Sequence, residues 1–202
     1  MRDASIKAYT PAYEINGVVS SGCIMKVLKS DSEKFKAGDF VVGANGNEEY
    51  SAISKDDIAA FRTIVNPYNF DLKVFLGALG MPGLTAYSSL YAIGKPKKGE
   101  TIFISAASGA VGQIVGQLAK HEGLRVIGSV GSDEKAEFII KELNFDGAFN
   151  YKTEKPADAL KRLAPDGIDI YYENVRIFLF FVYCVLQILT QTRLEVYNLK
   201  LP

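Results

Sequence analysis

The chain has 202 residues, of which 48% are hydrophobic and 23% are charged, a composition that is typical of a globular protein and argues against disorder. Its 23 basic and 23 acidic residues cancel. Proteins that bind nucleic acid through its phosphates carry a basic excess, so we expect no nucleic-acid partner.

Residues 15–53 have the pattern of a small all-β unit, because short apolar runs alternate with turn residues. The four predicted strands are Val18–Val19, Cys23–Leu28, Asp39–Ala44 and Glu49–Ile53. Residues 56–94 are interpreted as mainly helical, with interruptions at Asn66-Pro67 and at Met81-Pro82-Gly83.

From Gly99 onward the pattern alternates between strands and helices, which predicts a parallel sheet with helices packed on it. The β-branched and aromatic run Glu100–Ser105 predicts one buried strand, and Leu124–Val130 predicts the next. The helix between them, Val111–His121, carries its apolar residues on one face. A third strand is predicted at residues 168–172.

Residues 176–202 differ from the rest in composition, since every glycine and alanine lies before residue 176. They contain the mostly apolar run 177–189, which is shorter than the roughly 18–20 residues that span a bilayer. Three interpretations stay open: a buried strand or helix, a tail foreign to the domain before it, and a membrane anchor. The anchor is the least favoured, so a membrane partner is not expected.

Potential metal ligands are scarce. Cys23 and Cys184 lie far apart in the sequence, and His121 is the single histidine, so we expect no metal site. The isolated cysteines indicate a reducing compartment, and the polar start Met1-Arg2-Asp3 lacks the apolar core of a signal peptide. We therefore expect a cytoplasmic location.

The turn between the first predicted strand and its helix has the spacing A-x-x-G-x-x-G, formed by Ala106, Gly109 and Gly112. Such a turn exposes backbone N–H groups at a helix N-terminus, where the helix dipole favours an anion. We interpret it as the pyrophosphate site of a dinucleotide. The residues expected to bind there are Ser108, Gly109, Ala110, Val111 and Gly112. The alternative is a turn whose glycines serve packing alone.

The end of the second predicted strand indicates which dinucleotide binds. NAD sites place an acidic residue there to hold the ribose hydroxyls, whereas this strand runs into Gly131 and Ser132. Lys135 lies in the first turn of the next helix, where a cation opposes the helix dipole, so we interpret Ser132 and Lys135 as a 2′-phosphate site for NADP(H). Asp133 is expected to cap the helix. The alternative is a surface lysine paired with Asp133 or Glu134.

Six segments together resemble one known family. They are Gly80–Tyr87, Pro96–Thr101, Ser105–Gly112, Gly131–Lys135, Phe149–Lys152 and Glu173–Val175. These segments are similar to the zinc-independent medium-chain dehydrogenases/reductases of the prostaglandin reductase and alkenal double-bond reductase type. The resemblance covers essentially residues 1–175, and we expect the chain to lack both ends of the family's length.

The resemblance implies an α/β fold in which a Rossmann domain follows a GroES-like β domain. We expect a partial GroES-like domain at residues 1–60, a helical connection at residues 61–98 and the N-terminal half of the Rossmann domain at residues 99–175. Residues 176–202 form an apolar tail without the resemblance.

The resemblance also implies a function: the NADPH-dependent conjugate reduction of α,β-unsaturated ketones and aldehydes, small molecules of the 2-alkenal or 15-oxoprostaglandin type. It places Tyr151 on the adenosine side of the cofactor, Asn174 beside the cofactor and Thr85 near the nicotinamide. It also places Tyr9 at the substrate cleft. Packing at a strand end is the alternative for Tyr151, and helix capping is the alternative for Thr85.

No catalytic residue is assigned, because the family's proton-donating tyrosine falls outside the resemblance. Two other functions stay open: a quinone oxidoreductase of the same superfamily, and a non-catalytic nucleotide-binding fragment. A homodimer is an assembly open to the full-length members of the family.

Overall fold

The computed structural model describes residues 12–174. Tyr9, the run 177–189 and the rest of the predicted tail lie outside the described residues. The described chain divides after Leu76 into two compact units. The domain boundaries that we expect at residues 60, 98 and 175 stay predictions. None of the helices within residues 12–174 has the length and apolar character needed to cross a membrane.

The first unit contains an antiparallel sheet of three strands. These are β1 (Ser20–Lys26), β2 (Phe40–Gly46) and β3 (Arg62–Thr63), in that spatial order. Strands β1 and β2 pair along their full length, and β3 adds two residues to the edge of β2. The core of the unit is small and consists of Phe35, Val41 and Phe61 with partly buried neighbours.

The strand predicted at residues 49–53 is wrong, because side-chain hydrogen bonds hold this segment in a turn after β2. The Ser51 hydroxyl accepts a hydrogen bond from the Asn45 amide at 2.7 Å and donates one to the Glu48 carboxylate at 3.0 Å. Short polar side chains that bond locally in this way compete with sheet pairing.

The prediction of a mainly helical stretch over residues 56–94 holds only in its second half. The first half contains only the 3-10 turn Asp57–Ala60 and, near its end, the 3-10 turn Leu72–Phe75. The second half contains the helix α1 (Met81–Ser88) and the π-helical turn Ser89–Gly94. In the loop before Leu72, the Asn66 side chain donates to the Phe70 carbonyl at 2.8 Å and accepts from the Phe70 N–H at 2.9 Å. This closed loop takes the backbone groups that a helix would use.

The second unit is a parallel sheet with helices on its faces, which confirms the predicted α/β fold class. Its strands are β4 (Thr101–Ile104), β5 (Arg125–Val130), β6 (Gly147–Asn150) and β7 (Ile170–Tyr172), in the spatial order β6-β5-β4-β7. The helices between them are α2 (Ala110–His121), α3 (Asp133–Lys141) and α4 (Pro156–Leu163). Strand β6 and helix α4 are absent from our prediction.

Successive residues of β4 face opposite sides of the sheet, as the twofold period of a strand requires. Ile102 and Ile104 are fully buried in the cluster that includes α2 and α3 residues. Phe103 points to the other face, where α4 supplies part of the cover. Its ring stacks against Phe149 and Tyr171, with centroids 5.9 and 5.3 Å apart.

The order of the strands reverses beside β4. The chain places β5 and β6 on one side of β4 and then returns to place β7 on the other side. In open α/β sheets, ligands typically bind at such a switch point, in a crevice at the carboxyl ends of the strands.

Candidate functional site

The turn after β4 leads into an uncapped helix N-terminus. The Ala107 N–H donates to the Ser129 carbonyl at 3.0 Å, which ties the turn to β5. Gly109 is the N-cap of α2, and no side chain caps this end. The first hydrogen bond of the helix runs from the Gln113 N–H to the Gly109 carbonyl, so the N–H groups of residues 110–112 have no acceptor within the helix. This arrangement suits an anion.

The two glycines of the turn lie where backbone segments approach each other closely. A Cβ atom on Gly112 would be 2.6 Å from the Ala106 carbonyl oxygen and 2.9 Å from the Ala107 Cα. A Cβ atom on Gly109 would be 3.1 Å from the same carbonyl oxygen. Packing therefore requires a glycine at position 112. The same close packing holds the start of α2 at the end of β4. Both interpretations of the turn, phosphate binding and packing alone, are compatible with this contact. The pyrophosphate role of residues 108–112 stays a prediction.

Ala106 occupies the first small-residue position of the motif with a left-handed backbone, φ +45°. An L-residue pays about 1–2 kcal/mol for this conformation, which glycine adopts freely. We expect Ala106→Gly to raise the free energy of unfolding by up to about 1 kcal/mol, measured by urea denaturation. The control is Ala136→Gly inside α3, where glycine lowers stability by about 1 kcal/mol. If both variants lost the same free energy of unfolding, the backbone strain inferred at Ala106 would be contradicted.

The start of α3 corrects one prediction. Ser132, not Asp133, caps the helix: it has an extended backbone, and its Oγ accepts from the Lys135 N–H at 3.4 Å. Asp133 is already helical, and its Oδ1 accepts a hydrogen bond from the Asn150 side chain at 2.9 Å. Lys135 is exposed, and its ammonium group is in no ion pair within the described range, 12–174. The alternative pairing with Asp133 or Glu134 is therefore not observed.

Tyr151 follows the end of β6 but reaches the end of β5. A Cβ atom on Gly131 would be 2.9 Å from the Tyr151 hydroxyl oxygen, so the tyrosine lies beside the start of α3. Its side chain is 41% exposed, which leaves the ring accessible to a ligand. The structure thus brings Tyr151 together with Ser132 and the first turn of α3. Both packing at Gly131 and a ligand contact are compatible with this position.

Asn174 is anchored at the switch point by Ser105. Its backbone N–H donates to the Ser105 Oγ at 2.7 Å, and its side-chain amide donates to the Ser105 carbonyl at 2.9 Å. The Ser105 hydroxyl, which is only 2% exposed, donates in turn to the Glu173 carboxylate at 2.6 Å. Ser105 is absent from the residues predicted to form the site. A polar residue at the end of an otherwise apolar strand is the signal that could have identified it.

Thr85 lies inside α1, which has Gly80 as its N-cap, so the alternative of Thr85 as a helix cap is wrong. Its carbonyl accepts a hydrogen bond from the Ser89 hydroxyl at 2.6 Å. The hydroxyls of Ser89 and Tyr172 are also 2.6 Å apart, so α1 is connected to the end of β7. Burial raises the pKa of Tyr172 and outweighs the lowering by its bond to Ser89, which keeps the phenol protonated at neutral pH.

In the part of the chain that the structure describes, no three His, Cys, Asp or Glu side chains lie close enough together to hold a metal ion. The expectation of a function without metal stays a prediction.

Known proteins resemble this chain in sequence and in fold. Residues 110–181 match the family of zinc-binding dehydrogenases. The chain is 59% identical over 175 residues to the NADP-dependent oxidoreductase RED1 of Cochliobolus heterostrophus. This match covers 87% of this chain and 50% of that protein. It is 47% identical over 171 residues to the 2-alkenal reductase (NADP(+)-dependent) of Nicotiana tabacum, with coverages of 84% and 48%.

A similar solved structure is that of CurA from Vibrio vulnificus in complex with NADPH. The TM-score is 0.77 at 34% identity, covering 91% of this chain and 52% of that one. The chain spans about half the length of the curated relatives it matches.

Proposed function

Because the chain belongs to the medium-chain dehydrogenase/reductase family, we propose that it binds NADP(H) and serves the reduction of the carbon–carbon double bond of α,β-unsaturated ketones and aldehydes. The observation that carries the cofactor assignment is the uncapped N-terminus of α2 at the end of β4, next to the Ser132–Lys135 turn at the end of β5. The enal substrate class rests on the likeness to the tobacco 2-alkenal reductase.

The residues present fit a dinucleotide phosphate. The N–H groups of residues 110–112 bind the pyrophosphate, since they lack helical acceptors and the glycines at 109 and 112 bring backbone close to the ligand. Ser132 and Lys135 bind the 2′-phosphate, and Tyr151 lies against the adenosine. Strands β4 and β5 are neighbours, about 4.8 Å apart, so one ligand can contact both ends.

The nicotinamide half binds in the crevice at the switch point. NADPH supplies a hydride to the double bond when it is bound there. Ser105 holds both the backbone and the side-chain amide of Asn174, so this amide is pre-oriented at the edge of the crevice. Thr85 approaches from α1, and its carbonyl accepts from Ser89, whose hydroxyl is joined to that of Tyr172 in β7. Cytoplasmic location, the lack of a nucleic-acid partner and a homodimer stay predictions.

Cofactor choice gives the first test. We expect the unaltered chain to bind NADPH more tightly than NADH in a fluorescence titration. We expect Lys135→Ala to cost about 1.5–3 kcal/mol of NADPH binding with little effect on NADH, because it removes a charge-assisted contact to phosphate. The control is Lys155→Ala, which removes an equally exposed positive charge at the start of α4. Equal affinity of the unaltered chain for the two cofactors would rule out the 2′-phosphate site.

The substrate class is tested by following NADPH consumption with a simple enal and with a quinone. Consumption with the enal alone supports the proposed reductase. Consumption with the quinone alone identifies a quinone oxidoreductase, and binding of NADPH without consumption identifies a non-catalytic nucleotide-binding fragment.

A further inference from the structure

Lys152 follows β6 in the chain, yet its side chain extends to the end of the neighbouring strand. A Cβ atom on Gly131, the first residue after β5, would be 3.6 Å from the Lys152 Cε. The lysine stem therefore reaches from the end of β6 to the end of β5 and lies against Gly131. The next residue after Gly131 is Ser132, which caps α3.

Asn150 holds the backbone of Lys152 in place. It is 8% exposed, and both ends of its side-chain amide are used. The Nδ2 group donates to the Asp133 carboxylate at 2.9 Å, and the Oδ1 atom accepts from the Lys152 N–H at 3.1 Å. One buried amide thus connects the backbone of Lys152 to the first turn of α3. The position of Lys152 relative to Ser132 and Lys135 is set by this connection.

The same contact engages Asp133, the acidic residue at the start of α3. Asp133 accepts the Asn150 amide, which occupies one carboxylate oxygen, and Glu134 is exposed beside it. Lys135 and Lys152 are both exposed, and neither has an ion-pair partner in the region that the structure covers, 12–174. Lys135 in the first turn of α3 and Lys152, whose stem reaches Gly131, therefore carry charges that no carboxylate of the described residues pairs with.

We propose that Lys152 is a second cationic residue for the 2′-phosphate of NADP(H), and that Asn150 is the positioning residue that holds it there. The inference rests on the proposed function and deepens it. A phosphate monoester carries a charge of about −1.5 to −2 at neutral pH, which one lysine neutralises only in part. A flexible lysine that arrives from β6 complements Lys135, which arrives from α3.

The test compares Lys152→Ala with Lys155→Ala, because both remove one exposed lysine from the same connection between β6 and α4. The probes are NADPH, NADH and the adenosine fragments 2′,5′-ADP and 5′-ADP, titrated by fluorescence or calorimetry. We expect Lys152→Ala to weaken NADPH and 2′,5′-ADP about tenfold, as the loss of one charge-assisted contact predicts. Binding of NADH and 5′-ADP is expected to stay unchanged, and Lys155→Ala is expected to change none of the four.

Two further variants separate charge from structure. Lys152→Arg keeps the cation and is expected to retain most of the NADPH preference, whereas Lys152→Gln is expected to lose it. Asn150→Ala is expected to reduce the NADPH preference while NADH binding persists, with thermal unfolding measured alongside. The loss in Lys152→Ala is also expected to shrink as salt rises, because exposed charges are screened.

The possible failures are distinguishable. If the unaltered chain does not bind NADPH more tightly than NADH, the proposed function and this inference are both wrong. If the unaltered chain prefers NADPH and Lys152→Ala keeps that preference as Lys155→Ala does, only the role of Lys152 is overturned. An equal loss of NADPH and NADH binding in Lys152→Ala also overturns it, since a 2′-phosphate contact must distinguish them.

Discussion

Replacing Phe103 with alanine is expected to lower the free energy of unfolding by about 3–5 kcal/mol. The side chain has no exposed surface and lies at the centre of β4, where its ring stacks between Phe149 and Tyr171. Its removal takes away both the buried apolar area and the ring contacts, and the flanking strands prevent the cavity from closing. Urea denaturation, followed by circular dichroism, measures the loss.

The matched control for Phe103 is Phe138→Ala in α3. Phe138 is 39% exposed, so we expect this change to cost about 1 kcal/mol or less. A loss at Phe103 as small as that at Phe138 would show that this face of the sheet repacks around the missing ring. The stacked arrangement of the three rings would then contribute little to the stability of the unit.

Replacing Gly112 with alanine is expected to have two effects at once. The added Cβ would lie 2.6 Å from the Ala106 carbonyl oxygen, so the helix must move away from the turn. We expect unfolding to become easier by about 1–3 kcal/mol, although alanine favours the helix by about 1 kcal/mol. The moved N–H groups also miss the phosphate, so NADPH and NADH are both expected to bind at least about tenfold more weakly.

Gly94→Ala is the control for Gly112, because a Cβ there would be 3.5 Å from the Leu90 Cδ1, an ordinary contact. We expect it to leave nucleotide binding unchanged. If Gly112→Ala lost stability but kept its affinity for both cofactors, the close approach at Gly112 would serve packing alone. The pyrophosphate would then have to bind away from the start of α2.

The longer elements of the second unit could be predicted because their pattern is local. The helix expected at Val111–His121 is observed as Ala110–His121, and the strands around it are observed within the predicted ranges. Two elements were missed. Strand β6 has four residues like β4, but they include a glycine and an asparagine, so the apolar run that identified β4 is absent. Helix α4 has eight residues, about two turns, which carry few apolar positions to show a helical period.

In the candidate site, too, the parts that lie together in the chain could be located from the sequence, and the contacts between distant residues could not. The glycine turn at residues 106–112 could be located from the sequence, because the features of a helix N-terminus depend on residues that are adjacent in the chain. The binding roles of Ser132 and Lys135 stay predictions. The cap predicted at Asp133 was wrong by one residue: Ser132 caps α3, and Asp133 accepts a hydrogen bond from Asn150, which lies 17 residues away in the chain. A contact between such distant residues is not visible in the local pattern.

The sequence by itself determined which segments bury their apolar residues and where a glycine turn leads into a helix N-terminus. Only the tertiary structure decided which polar side chains meet at the carboxyl ends of the strands. Ser105 and Asn174 are 69 residues apart and share two hydrogen bonds, because β4 and β7 pair across the switch point. Lys152 reaches Gly131 because β5 and β6 are neighbours in the sheet. These contacts arise from strand pairing between distant segments, which no local periodicity specifies.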